Sequence, residues 1–193
     1  AIELEPDDVQ ASWYYNWGTR EFKQLSECTT RQDKNEIGVN FANQFKKIEY
    51  VPMVWSSNSY SNTLSKVQTA KNNGYKTILG FNEPDFKVQA NMTVATAISC
   101  WPAFMNQGMR VGSPATGTWP TINTWFQNFM SQIDSNSSLD VDFITIHCYP
   151  ENYAGKDGAN WFLTNVVEAC WNKYHKPIWI TEFSPQGQYV TKS

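Results

Sequence analysis

The chain has 193 residues, 15 of them basic and 18 acidic, for a net charge of −3. It shows no basic stripe or Lys/Arg run to meet nucleic acid or an anionic membrane surface, and no apolar run near the 18 or so residues of a membrane span. The length suits a single domain over residues 1–193 with a sizeable core.

Six short apolar runs rich in β-formers punctuate the chain. Ser12–Trp17 is the first and Ile48–Trp55 the second. A helical pattern follows on Leu64, Val67, Ala70 and Lys71 and stops at Asn73-Gly74. Thr77–Phe81 is the third run. Val94, Ala97, Ile98, Trp101 and Phe104 then share one helical stripe. Arg110–Pro114 is the fourth run, followed by the clearest stripe: Ile122, Trp125, Phe126, Phe129, Met130 and Ile133. Asp142–Tyr149 is the fifth run. Trp161, Phe162, Val166, Val167, Cys170 and Trp171 precede the last, Pro177–Phe183. Runs that are nearly all apolar read as strands buried on both faces. Their alternation with helices implies an α/β fold with a parallel sheet and right-handed crossovers. No Gly-x-Gly-x-x-Gly follows the first strand and no Walker sequence is present, so nucleotide folds lose their support. A (β/α)8 barrel of the TIM type gains it, because polar and aromatic groups gather at the C-terminal ends of the strands. These are Asn16 and Trp17, Trp55, Asn82 and Glu83, Ser113, His147 and Tyr149, and Thr181 and Glu182. Only six strands are recognisable where a closed barrel needs eight, so the barrel is expected to be shortened, with Ile2–Leu4 and Gln188–Thr191 as candidate substitute strands.

Glu83 ends Ile78-Leu79-Gly80-Phe81-Asn82, and Glu182 ends Ile178-Trp179-Ile180-Thr181. A carboxylate at the end of a buried strand is costly unless it is solvated, paired or functional. Two of them on one sheet suit glycosidic cleavage, one giving a proton to the leaving oxygen and the other attacking the anomeric carbon or activating water. Their separation would decide between retention and inversion. Aromatic residues, 15% of the chain, exceed what the core needs and suit the apolar faces of sugar rings. Two histidines, His147 and His175, do not assemble a metal set, and no cofactor or metal is called for. No Gly-x-Ser-x-Gly elbow exists. Cys148 cannot pair with its neighbour His147, because adjacent strand residues face opposite ways.

Taken in order, Ser12-Trp13-Tyr14-Tyr15-Asn16-Trp17, Val51-Pro52-Met53-Val54-Trp55, Leu79-Gly80-Phe81-Asn82-Glu83-Pro84-Asp85, Gly112-Ser113-Pro114-Ala115, His147-Cys148-Tyr149 and Pro177-Ile178-Trp179-Ile180-Thr181-Glu182-Phe183 resemble glycoside hydrolase family 128, whose members are mainly endo-β-1,3-glucanases of fungi and bacteria and include alkali-sensitive-linkage-type fungal cell-wall proteins. The resemblance covers residues 12–184. It implies a retaining β-1,3-glucan hydrolase with Glu83 as general acid/base and Glu182 as nucleophile. It further implies that Asn82 bonds the sugar 2-hydroxyl, that His147 and Tyr149 line the cleft and position the nucleophile, and that Trp17, Trp55 and Trp119 are stacking platforms. Strict alternation with Glu182 would turn Trp179 outward. A non-catalytic β-glucan-binding wall protein on the same scaffold is the alternative. Asn91-Met92-Thr93 and Asn136-Ser137-Ser138 are glycosylation acceptor sequences that fit a secreted, cell-wall-associated protein. Cys28, Cys100, Cys148 and Cys170 allow one or two disulfides, or four buried free thiols. The expected partner is a β-glucan chain, without nucleic acid or membrane; monomer and dimer stay open.

Overall fold

The computed structural model describes residues 12–20, 49–149 and 155–183. Within them, six strands run parallel: β1 (Trp13–Tyr14), β2 (Glu49–Tyr50), β3 (Thr77–Ile78), β4 (Arg110–Val111), β5 (Ile144–Cys148) and β6 (Ile178–Phe183). They pair as β1–β2, β3–β4 and β5–β6. Single parallel bridges join these pairs: Met53 with Leu79, and Gly112 with Phe143. Asn82 with Ala115 forms a third bridge, at the outer end of β3 and β4. The strand order is therefore the chain order. No closed barrel forms among the described residues. Ile2–Leu4 and Gln188–Thr191 lie outside them, as does Cys28.

Helices alternate with these strands as the apolar stripes demand. They are α1 (Tyr60–Asn72), α2 (Val94–Cys100), α3 (Thr124–Asp134), α4 (Gly155–Phe162) and α5 (Ala169–Tyr174). None is long and apolar enough to cross a membrane. Side-chain oxygens of Ser59, Thr93 and Asn123 cap the first three by accepting from backbone N–H groups. Asn73 closes α1, and Gly74 follows at φ 86°, the left-handed conformation glycine adopts freely. Val67 and Ala70 are buried, as are Phe126, Phe129, Met130 and Ile133. Two stripe members depart from expectation. Ile122 lies before α3 and is 59% exposed, and Trp171 is 51% exposed on α5. A π-helical stretch, Leu163–Glu168, joins α4 to α5; its wider turn breaks the 3.6-residue period that had placed Trp171 inward.

The strands separate two apolar layers. On the outer face Ile78, Val111, Ile144, Ile146 and Cys148 pack with the helices around Trp101, Phe104 and Phe129. On the inner face Val51, Met53, Leu79 and Phe143 meet Trp13, Tyr15 and Trp179. Trp179 lies 4.9 Å from the Trp13 ring and 4.4 Å from the Phe143 ring, so β1 and β6 touch across this inner space. The Arg110 guanidinium lies 5.4 Å from the Phe143 ring centre and closes the lower end. Gly80 lets the strands approach: a Cβ there would stand 2.8 Å from the Pro114 nitrogen and 2.9 Å from the Gly112 carbonyl oxygen.

Trp179 corrects the alternation argument. β5 and β6 pair residue for residue up to Ile146 with Ile180, and then His147 pairs with Glu182. Thr181 is an extra residue, a bulge that shifts the phase by one. It brings Glu182 to the inner face that Trp179 already occupies.

Candidate active site

Above the inner apolar layer the side chains become polar. Ser113 and Thr145 tie β4 to β5: the Thr145 amide donates to Ser113 Oγ at 2.9 Å, and the Thr145 hydroxyl donates to the Ser113 carbonyl at 2.8 Å. The next inward residue on β5 is His147, fully buried. It stands between two carboxylates, with Nδ1 2.9 Å from Glu83 Oε1 and Nε2 3.5 Å from Glu182 Oε1. The second distance is too long for a good hydrogen bond, and Nε2 has no other partner among the described residues. One oxygen or nitrogen from each of Glu83, His147 and Glu182 lies within 4.8 Å of the other two. Cys148, the next residue, points into the outer core, where burial pushes its thiol up to about 11.

Glu182 is held by three neutral donors. Tyr15 Oη donates to Oε1 at 2.8 Å and Trp17 Nε1 to the same oxygen at 2.8 Å; the Tyr149 hydroxyl donates to Oε2. Burial disfavours the carboxylate's charge. The charge of His147 and the hydrogen bonds from Tyr149, Tyr15 and Trp17 outweigh burial and hold Glu182 below the usual glutamate range. The donors shift the other way: burial first, then the Glu182 charge and hydrogen bond, push the Tyr15 phenol far up. Tyr149 is raised by burial and by its bond to Glu182. Each phenol thus stays a donor and Glu182 stays an acceptor.

Glu83 has a different setting. It is 7% exposed, and His147 is its side-chain partner among the described residues. Its backbone takes φ 41°, a left-handed conformation costly for a side chain with a Cβ. Neighbouring bonds impose this: Asn82 N donates to the Trp55 carbonyl at 2.9 Å, Glu83 N to the Ala115 carbonyl at 2.7 Å, and Phe86 N to the Glu83 carbonyl at 3.0 Å. Asp85, just beyond, braces the next loop by accepting from Gly117 N at 3.0 Å and Asn123 Nδ2 at 2.8 Å. Trp17 is the other left-handed residue here, at φ 59°. Its turn is fixed by Asn16 Oδ1, which accepts from Gly18 N at 3.0 Å and from the Tyr50 hydroxyl. Strain of about 1–3 kcal/mol per residue thus falls on Glu83 and Trp17, as it does on Asn91, Asn106 and His175 elsewhere.

The structure divides the remaining candidates, with Trp119 in the outer layer and not beside the glutamates. Asn82 is buried; its amide donates to Gln89 Oε1 at 3.3 Å, and its Oδ1 has no partner among the described residues. Trp55 lies in the segment beyond β2, with 36% of its surface exposed. Trp17 is 52% exposed, but its indole N–H is committed to Glu182, so it serves as a donor as well as an aromatic surface. Trp119 packs edge-on to Trp161 at 5.3 Å, against the outer core. Tyr15 was not singled out from sequence. Two-residue alternation from Trp17 would have found it, since Trp13, Tyr15 and Trp17 share the inward phase of β1. That His147 and both glutamates form a metal-type set has no local mark in the sequence; three neutral donors occupy three of the roughly four acceptor sites of the Glu182 carboxylate.

Chemically, a buried carboxyl and a stabilised carboxylate face one small space, with an imidazole between them. The sequence profile described as "Glycosyl hydrolase catalytic core" matches residues 3–193. Alkali-sensitive linkage protein 1 of Schizosaccharomyces pombe is 30% identical over 178 residues, 90% of this chain and 27% of that protein. A family 128 (subgroup I) endo-β-1,3-glucanase of Amycolatopsis mediterranei, solved with laminaritriose, is 32% identical with a TM-score of 0.69, covering 93% of this chain and 65% of that one. A family 128 (subgroup III) curdlan-specific exo-β-1,3-glucanase of Blastomyces gilchristii, solved with glucose, is 28% identical with a TM-score of 0.63, covering 92% of this chain and 68% of that one. The chain thus spans just under two thirds of the Amycolatopsis enzyme and about a quarter of the yeast protein.

Proposed function

This chain belongs to the glycosyl hydrolase catalytic core family, and from that premise we propose that it hydrolyses β-1,3-glucan by double displacement, with Glu83 as general acid/base and Glu182 as nucleophile. The observation that carries the reading is the spacing of the two glutamates. One carboxylate oxygen of each lies within 4.8 Å of one of the other. Retaining glycosidases hold their carboxyl groups about 5 Å apart, whereas inverting ones leave roughly 6.5–9.5 Å for a water. Similar solved enzymes carry laminari-oligosaccharides, and complexes of the Amycolatopsis enzyme were obtained with a glutamate replaced at either of two positions.

In the proposed reaction Glu83, protonated, gives its proton to the glycosidic oxygen as the bond to C1 breaks. Glu182 attacks C1 and forms a glycosyl ester. Glu83, now a carboxylate, takes a proton from water as that water displaces Glu182. The donors on Glu182 favour its ionised form before attack, and it becomes the leaving group in the second step. His147 touches both partners and fixes their relative position. Asn82 reaches the 2-hydroxyl, and Trp17 and Trp55 flank the sugar chain. The six strands, in chain order and touching across the inner space, are read as an arc of a (β/α)8 barrel. Exposed Asn91 and Asn136, both in glycosylation acceptor sequences, and the likeness to the yeast alkali-sensitive linkage protein support an extracellular place of action. The complete pair of glutamates favours catalysis over glucan binding alone.

Reducing-sugar release from linear β-1,3-glucan tests this. Glu182→Gln and Glu83→Gln should each fall by about a thousandfold or more. Azide should rescue Glu83→Ala to a β-glycosyl azide and Glu182→Ala to an α-glycosyl azide. Unchanged hydrolysis by Glu182→Gln would overturn the assignment.

A further inference from the structure

One ring nitrogen of His147 is buried and unused. The side chain is fully buried, and Nε2 has no hydrogen-bond partner among the described residues. A buried polar atom left in this way is costly unless something else occupies it. Opposite stands Glu182 Oε1 at 3.5 Å, too far for a good hydrogen bond. The gap is instead that between two ligands of one metal ion. Bonds of about 2.0–2.2 Å from a tetrahedral zinc to nitrogen and oxygen put those two atoms about 3.3–3.5 Å apart. His147 and Glu182 pair directly across β5 and β6, so no loop has to move to bring them together.

Glu83 completes the arrangement from behind the ring. Its Oε1 lies 2.9 Å from Nδ1. When Glu83 is protonated it donates to Nδ1, and Nε2 carries the ring proton. When Glu83 is ionised it accepts from Nδ1–H, and Nε2 presents a bare lone pair. A carboxylate on the far nitrogen is the usual support of a metal-bound histidine, fixing its tautomer and raising its basicity. Glu182 can make room for an ion, because the Tyr15 hydroxyl that donates to Oε1 at 2.8 Å also lies 3.1 Å from the Thr181 carbonyl and can turn there. The two glutamate charges match a divalent cation. An imidazole nitrogen with carboxylate oxygen suits zinc or copper, whereas calcium and magnesium take oxygen ligands. We propose that the cleft takes one zinc or copper ion on His147 Nε2 and Glu182 Oε1, oriented by Glu83, and that this ion and the glucan chain exclude each other. Such an ion selects the ionised Glu83, the form without the proton that cleavage needs. The ion site rests on this geometry; its exclusion of glucan rests on the hydrolase reading.

The test titrates Zn²⁺, and Ca²⁺ as a control, into protein made without a histidine tag, by calorimetry. One Zn²⁺ per chain and no uptake of Ca²⁺ are expected. Glu83→Gln should weaken Zn²⁺ by about 10–100-fold, as loss of a partner behind a metal-bound histidine does. Glu182→Gln and His147→Gln should weaken it at least as much, while replacement of the exposed His175 by alanine should leave it unchanged. Because His147 is buried, its variant counts only if its melting temperature shows a folded chain; Cu²⁺ bound to the wild type gives a second readout, an electron spin resonance spectrum split by one ring nitrogen. Zn²⁺ uptake that survives Glu182→Gln and Glu83→Gln, uptake lost in His175→Ala, or a Cu²⁺ spectrum without nitrogen splitting would overturn the site. Zn²⁺ should also slow reducing-sugar release from linear β-1,3-glucan, and a chelator should restore it; bound Zn²⁺ without effect on release would overturn the exclusion. A wild type that hydrolyses glucan but takes up no Zn²⁺ removes the ion site and leaves the hydrolase reading. One that binds Zn²⁺ as expected but never hydrolyses glucan does the reverse.

Discussion

The outer core and the mouth of the inner space are built from the same strands and obey opposite rules. Outside, Ile78, Ile144, Ile146, Trp101, Phe126 and Phe129 are fully buried. Polar atoms in that layer are satisfied: Trp101 Nε1 donates to the Asp140 carbonyl at 2.9 Å and Trp125 Nε1 to the Met92 carbonyl at 2.7 Å. At the mouth, two residues hold left-handed backbones, two buried polar atoms lack hydrogen-bond partners among the described residues, and Trp17, Trp55 and Tyr149 stand open to solvent. Stability resides in the first region and reactivity in the second. Burial of apolar surface is what lets the chain keep strained, incompletely bonded groups at one end of its strands.

That contrast can be broken most severely in the outer core. Trp101→Ala or Phe129→Ala should destabilise by about 3–5 kcal/mol in urea titrations, because each leaves a cavity among fully buried neighbours. A loss under about 1 kcal/mol would mean that this layer does not carry the fold. Gly80→Ala comes next, at about 1–3 kcal/mol, since its Cβ would meet the backbone of the neighbouring strand rather than a movable side chain.

Changes at the mouth should spare stability and alter chemistry. Tyr15→Phe and Tyr149→Phe each remove a donor from Glu182, so the carboxyl pKa should rise and the acidic limb of the kcat/KM profile should move to higher pH. Tyr149 should matter more, because the one proton of the Tyr15 hydroxyl is shared between Glu182 and the Thr181 carbonyl. A pH profile superimposable on the wild type would show that these donors do not set the ionisation of Glu182. The smallest effect concerns stability against pH. A depressed pKa in the folded state adds stability that is present above the ordinary glutamate pKa and is lost as pH falls through the depressed value. Tyr149→Phe should therefore lose this increment at a higher pH than the wild type during acid titration.

The same division governs what the sequence discloses. The outer core is legible because helical stripes such as Phe126, Phe129, Met130 and Ile133 follow a fixed period, and departures arise where the period itself changes, as at the π-helical stretch before Trp171. Glu83 and Glu182 are legible as charges at the ends of apolar strands. Their meeting is not, since it depends on the Thr181 bulge and on a left-handed Glu83, and neither has a local sequence mark. His147 reads from sequence as one inward residue, and its contact with both glutamates is a property of the assembled sheet. The Trp17 indole donor is hidden for the same reason, behind a turn fixed by Asn16 and Tyr50.

The proposed reaction turns on attack by Glu182 at the anomeric carbon. Incubation with a 2-deoxy-2-fluoro-β-laminaribiosyl fluoride, followed by peptide mass mapping, tests it directly. One fluorosugar ester on the peptide bearing Glu182, absent in Glu182→Gln, is the predicted result; an active enzyme that forms its adduct on another residue, or that releases the inverted anomer with no adduct at all, would contradict it.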